Sequence, residues 1–262
     1  MITLSDKDYE NMIKGQKAAR IGLDSEKDIV HMINNNPNFQ KSMIDGLSSI
    51  GYGNPSEIRA FKNGSKIDIY IVLDDEKIGV SIKSISKADF HQLDRRRLED
   101  WKILLDMPDY IFDILKDAIL RIAKNSSAKF ILEKDRDEIG NFFNNKLKTI
   151  LEEIFRRSES NLKLFMINDK TRHRIYVYNM DDVIEFLYKN AHNNISFTKK
   201  GIIKLGDFIT VQRKGGNGER VKKYKKTDWR HPGNHLQFKF SPVGFAEYIE
   251  RTGDIKFFTI DY

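Results

Sequence analysis

The chain has 262 residues, 40% of them hydrophobic, a formal net charge of +7 and no cysteine. This supplies enough apolar side chain for one large domain or two small ones, and it excludes disulfides and thiolate metal sites. A span of about 18 apolar residues, the minimum for a membrane helix, does not occur, and Met1 to Glu10 lacks the apolar centre of a signal peptide; a reducing cytoplasm is the expected location.

In chain order, a cap at Leu4-Ser5 leads a helix from Asp6 to about Ala19. Leu23-Asp24-Ser25 precedes a second helix, Glu26 to Asn34, with Ile29, Val30 and Ile33 on one face. A third, Gln40 to Ser49, stops at the turn-rich Gly51-Tyr52-Gly53-Asn54-Pro55. Strands are expected at Glu57 to Phe61, Lys66 to Leu73 and Ile78 to Ile85. Lys87 to about Ser158 reads as helical, including Phe90 to Leu105 and Glu138 to Arg157; its stripe of Phe142, Phe143, Leu147, Leu151 and Phe155 suits a core. Strands return at Leu162 to Ile167, Arg174 to Tyr178, Ile202 to Leu205, Phe208 to Arg213 and His235 to Phe240. Helices are expected at Met180 to Asn190 and Pro242 to Arg251. This order predicts a helical and catalytic lobe over 1–158 and a β-rich lobe over 159–262, separate or continuous.

Charge is concentrated. Residues 199–230 carry 11 Lys/Arg against three acids, Asp207, Glu219 and Asp228, which leaves the remainder of the chain near neutrality. Such a segment suits a polyanion partner, and equally a solvated loop.

The strand pair over 66–85 carries the chemistry. Period-two alternation sets Ile78, Val80 and Ile82 on one face, with Gly79, Ser81 and Lys83 on the other. Phosphodiester hydrolysis needs a cation against the developing charge, an activated water, and help for the leaving oxygen. Neighbouring strands about 4.8 Å apart bring an Asp, a second ligand and a Lys two residues on around one cation. Charged Asp68 and Lys83 inside otherwise apolar strands need partners or a task.

Lys66-Ile67-Asp68, followed by Ser81-Ile82-Lys83, resembles the motif of the PD-(D/E)xK nucleases. Asp68 stands at the acidic position, Ser81 at the D/E position and Lys83 at the lysine. Ile67 replaces the proline, and the Ser81 hydroxyl is a weaker ligand than a carboxylate; the main-chain carbonyl of Ile82 remains available. The resemblance implies Mg2+ as cofactor, with Asp68, Ile82 and Glu26 as its ligands. Glu26 stands where family members carry an acid on the first core helix, and it also suits an early-turn acid favoured by the helix dipole. Lys66 and Gln92 are expected in supporting roles, with Gln92 on a helix beside the site and Arg95 to Arg97 near phosphate.

Further on, TVQRKGG (residues 210–216) and NHLQFKF (residues 234–240) resemble the C-terminal region of short-site type II restriction endonucleases, most of all those that cut GCGC. The implied fold is α/β, a mixed central sheet flanked by helices with a β-rich basic C-terminal lobe. The implied partners are double-stranded DNA, a second protomer in a homodimer, and a cognate DNA methyltransferase in a prokaryotic cell. Gln212, Arg213, Lys214, Gly215, Gly216, Asn234, His235, Gln237 and Lys239 are the candidate DNA contacts; Arg and Gln match guanine and adenine edges, while Lys and glycine N–H groups suit phosphate. No nucleotide P-loop accompanies the glycines, and the six histidines show no HExxH spacing. A DNA-binding protein with a decayed nuclease site and a structure-selective repair nuclease remain alternatives.

Overall fold

The computed structural model describes residues 6–62, 67–85, 90–214 and 223–262. Lys66, Gly215 and Gly216 lie outside the described residues. In chain order the elements begin with α1 (Asp6–Asn35), α2 (Pro37–Ser49), β1 (Ile58–Lys62), β2 (Ile69–Leu73) and β3 (Glu76–Ile85). Next come β4 (His91–Arg96), α3 (Leu98–Leu105), α4 (Asp109–Lys124), a 3-10 turn (Glu133–Asp135), α5 (Arg136–Asn145) and α6 (Leu147–Phe155). The chain continues through β5 (Leu162–Asp169), β6 (Arg174–Asn179), α7 (Met180–Ala191), β7 (Ile195–Phe197), β8 (Ile203–Leu205) and β9 (Ile209–Arg213). It closes with β10 (Leu236–Phe240), α8 (Pro242–Thr252) and β11 (Phe257–Asp261).

The contacts divide the chain into two compact units that interleave, in place of one cut between residues 158 and 159. One comprises Ala19–Phe90, Phe155–Leu187 and Ser241–Tyr262; the other comprises Met1–Ala18, His91–Ile154 and Tyr188–Phe240. The physical reason is strand pairing: β3 and β5 are parallel neighbours, and parallel strands cannot be joined by a tight hairpin. Residues 91–154, which contribute to the other unit, fall within this connection.

The first unit holds a six-stranded mixed sheet ordered β1-β2-β3-β5-β6-β11. Its register confirms the two-residue alternation, since Val80 pairs with Leu164 and Ile82 with Met166, all within one apolar cluster. Ile29 and Ile33 from α1, with Met43 and Leu47 from α2, complete that cluster. On the reverse face Phe165 and Tyr178 pair, and Phe245 of α8 meets Tyr178 with ring centroids 5.3 Å apart. Both faces are thus covered, which explains why β5 and β6 are buried almost throughout.

The second unit holds an antiparallel sheet ordered β4-β10-β9-β8-β7. Leu236, Phe238 and Phe240 turn one face inward, where Phe238 lies 4.7 Å from Trp101 and 6.4 Å from Phe143. The Phe142 to Phe155 stripe is buried. Among the described residues, no helix is long and apolar enough to cross a membrane.

Two local expectations change. Helix α1 is unbroken where two helices were expected, because Ser25 does not cap a second one; its buried hydroxyl accepts hydrogen bonds from Ser84 and Asn168 instead. His91 to Arg96, expected as the start of a helix, is a strand, because β10 supplies it with an antiparallel partner. Helix α3 starts only after Arg97, which is extended at φ −59°, ψ 151°.

Candidate functional site

Asp68 sits at the entry to β2, where its N–H donates to the Val80 carbonyl at 3.0 Å and continues the ladder with β3. Its Oδ2 accepts from the Ile82 N–H at 2.6 Å and from the Ser81 hydroxyl at 3.3 Å. Lys83 follows on the same strand, with Nζ 3.4 Å from the Ile82 carbonyl. The structure therefore gathers Asp68, Ser81, Ile82 and Lys83 around one strand end. Ser81, 3% exposed, faces the Asp68 carboxylate, so its hydroxyl acts on that carboxylate from within the protein.

Glu26 joins them electrostatically from α1. Its carboxylate is 2.9 Å from the Lys62 ammonium. Burial pushes the Glu26 carboxyl above the usual glutamate range; the Lys62 hydrogen bond opposes this, the negative charge of Asp68 adds to it, and Lys83 opposes it more weakly. The charges of Asp68 and Lys83 thus both act on Glu26, whose direct partner is Lys62.

The sheet of the second unit separates its polar side chains by register. Paired residues share a face, so Gln212, Gln237 and Arg95 form one row across three strands. Ser196, Lys204, Thr210, Lys239 and Gln92 form the next. Neither row contains a carboxylate. The Gln237 amide donates to the Gln92 side-chain carbonyl at 2.9 Å, which fixes both amides in one orientation. Gln92 is thereby part of this sheet and of its glutamine pair, rather than of a helix as expected.

Other candidates serve the loop before β10. Arg213 donates to Asn234 at 3.0 Å, and the fully buried Asn234 amide donates to the carbonyls of Lys226 and Asp228 at 3.1 and 2.6 Å. Lys214 contributes its N–H to the His235 carbonyl at 3.0 Å. Burial depresses the Arg213 guanidinium, and its Nη2 has no hydrogen-bond partner among the described residues. The same is true of His235 Nδ1; burial, then the positive charges of Arg97 and Arg95, hold that imidazole below the usual histidine range.

Of the three consecutive arginines, Arg96 pairs with Asp94 and Glu153 at 3.1 and 2.7 Å beneath the sheet. Arg97 donates to the carbonyls of Trp229 and Arg230 at 2.6 and 3.3 Å. Arg95 is exposed and shares the row of Gln237.

No family model matches the sequence, and no curated protein matches it. Among solved structures, the chain is similar to the restriction endonuclease MspI, crystallised in complex with its cognate DNA. The TM-score is 0.56 with 14% identity, over 90% of this chain and 93% of that one. The chain has the fold of MspI. The expected α/β class, with a central mixed sheet flanked by helices, is the one observed.

Within this MspI-like fold, the donors around Asp68 can be tested against a metal. Among the described residues there is no group of three or more His, Asp or Glu side chains able to hold one. The donor types present, the Asp68 and Glu26 carboxylates and the Ile82 carbonyl, are all oxygens, the class that a hard cation such as Mg2+ prefers. The sequence placed Thr210 in a strand and Lys204 in the basic segment, and it gave neither of them, nor Arg95, a face. Their places in these two neighbouring rows appear only once β4, β8, β9 and β10 are in register.

Proposed function

We propose that this protein is a Mg2+-dependent endonuclease of double-stranded DNA, of the type II restriction class. The observation that carries this reading is the convergence of the Asp68 carboxylate, the Ile82 carbonyl and the Lys83 ammonium on one strand end, with Glu26 in electrostatic reach. The MspI-like fold around that strand end supports it.

In this reading Asp68, Glu26 and the Ile82 carbonyl hold the cation. When bound, Mg2+ supplies positive charge against the charge that develops on the scissile phosphate. Ser81 and the Ile82 N–H keep the Asp68 carboxylate turned to its task, so a hydroxyl at this position is a brace in place of a ligand. The Lys83 ammonium can only donate hydrogen bonds, so it orients the attacking water and offsets phosphate charge. Hydrolysis then forms a P–O bond from the water oxygen, whose proton passes to solvent, and breaks the P–O bond to the sugar oxygen, which takes up a proton as it leaves.

The carboxylate-free rows of the second unit are the DNA-reading surface. Gln212, Gln237, Gln92 and Arg95 match base edges, with Lys204 and Lys239 against phosphate. Arg213, Asn234 and Lys214 brace the loop that flanks this surface, and His235 lies beside it. The resemblance of residues 210–216 and 234–240 to GCGC-cutting enzymes favours that site, with a symmetric homodimer cutting both strands and a partner methyltransferase protecting the host, in a prokaryotic cytoplasm.

The test is digestion of methylation-free phage DNA with MgCl2 or EDTA, beside Lys83→Ala. Discrete fragments that require Mg2+ and vanish in the variant are expected, and sequencing their ends gives the site. DNA that stays intact yet shifts on a gel would leave a DNA-binding protein with an inert site. Preferential cutting of junctions or nicks would indicate a repair nuclease.

A further inference from the structure

Three polar side chains on the sheet face opposite Lys83 have no place in the chemistry just described. Ser25 is fully buried on α1 and Asn168 is 2% exposed on β5. Ser84, on β3, is the register partner of Asn168. The Ser84 hydroxyl donates to Ser25 Oγ at 2.5 Å, and the Asn168 amide donates to the same oxygen at 2.8 Å. Both lone pairs of the Ser25 hydroxyl are thereby engaged. The Tyr262 hydroxyl in turn donates to Asn168 Oδ1 at 2.6 Å and sets which way the amide points.

The location of this network gives it meaning. Ser25 immediately precedes Glu26, and Ser84 immediately follows Lys83. Apolar packing of Ile29 and Ile33 holds α1 on the sheet, yet packing alone is non-directional and tolerates sliding. A shift of the helix along this short stripe would carry Glu26 away from its place in the chain's candidate site. Directional bonds from two strands onto one helical hydroxyl remove that freedom.

We infer that Ser25, Ser84 and Asn168 are positioning residues, which lock α1 to β3 and β5 so that Glu26 and Lys83 are held around one divalent cation. This rests on the nuclease reading and deepens it. Misplacing a catalytic group by about 1 Å costs roughly 100-fold in rate, so the lock is expected to act on turnover and cation affinity while leaving DNA affinity unchanged.

Ser84→Thr and Ser84→Val test it, because the two side chains have nearly the same shape and only threonine keeps the donor. Asn168→Ala is the harsher variant, and thermal melting shows whether it folds. The full-length proteins are compared by kcat and KM on DNA, by DNA binding in Ca2+, and by Mn2+ titration of the free protein followed by electron paramagnetic resonance. The expected result is near wild-type behaviour for threonine. Valine is expected to show a kcat lower by roughly 10-fold or more, with KM and DNA binding at saturating Ca2+ unchanged and Mn2+ bound several-fold more weakly. Equal kcat and equal Mn2+ affinity for the two variants would overturn the inference. Should the wild-type protein cut no DNA, the nuclease reading falls by itself. The Mn2+ titration then still decides: weaker binding by valine upholds the lock, and equal binding ends it.

Discussion

Burial raises the Glu26 carboxyl above its usual range in spite of the Lys62 ammonium 2.9 Å away. The folded protein therefore keeps this proton to higher pH than the unfolded chain does. As pH rises from about 4.5 through the folded value, ionising Glu26 removes stability, since the unfolded state gives up the proton first. Glu26→Gln is expected to flatten this fall in melting temperature above pH 4.5, while cleavage declines. A melting profile that keeps its slope in the variant would assign the pH dependence to another group. At this scale the shared face of Ser81 and Lys83 was legible because a strand's alternation is local. The Glu26–Lys62 pair and the Asn168–Ser25 bond were not, since 143 positions separate the latter two and nothing in either neighbourhood names the other.

Helix α2 against β11 gives a sharper test of packing. A Cβ on Gly46 would lie 2.1 to 2.4 Å from three atoms of the Phe258 ring, so this glycine permits a close approach of helix and strand. Alanine favours a helix by about 1 kcal/mol over glycine. Overpacking typically costs about 1–3 kcal/mol, and a ring that must move as a body leans to the upper part of that range. Gly46→Ala is therefore expected to lower the melting temperature, and Phe258→Ala in the same chain to recover part of the loss. If the two changes simply add, the contact is not what excludes the methyl. Strand β11 itself escaped the sequence reading, although Phe257-Phe258-Thr259-Ile260 has the β-branched and aromatic composition of a strand. Strand β4 escaped for a different reason. The run from His91 to Leu105 is dense in charge and carries apolar residues at helical spacing, and only the partner at Leu236 to Phe240 turns its first six residues into a strand. By contrast β2, β3, β5, β6, β9 and β10 were placed within a few residues, each bounded by turns and apolar enough to be read alone.

The interleaving of the two units makes the division of labour testable over the whole chain. Asp68, Lys83, Glu26 and their braces belong to one unit; the basic segment and the glutamine rows belong to the other. Each phosphate neutralised contributes about 0.9 to the slope of log affinity against log salt. Lys223 and Lys225 are exposed, and Lys204 stands in the polar row. Changing all three to glutamine is expected to make that slope shallower by about two to three, and to weaken binding to every DNA sequence alike. At saturating DNA the rate of cutting should stay near that of the unaltered protein. Lys83→Ala should do the reverse, with an unchanged salt slope in Ca2+ and lost cleavage in Mg2+. Filter binding across a series of salt concentrations, beside single-turnover cleavage, measures both quantities on the same preparations. A triple variant with an unaltered slope would remove these lysines from the DNA path. A Lys83→Ala protein with a shallower slope would mean that this lysine contributes to binding as well as to hydrolysis.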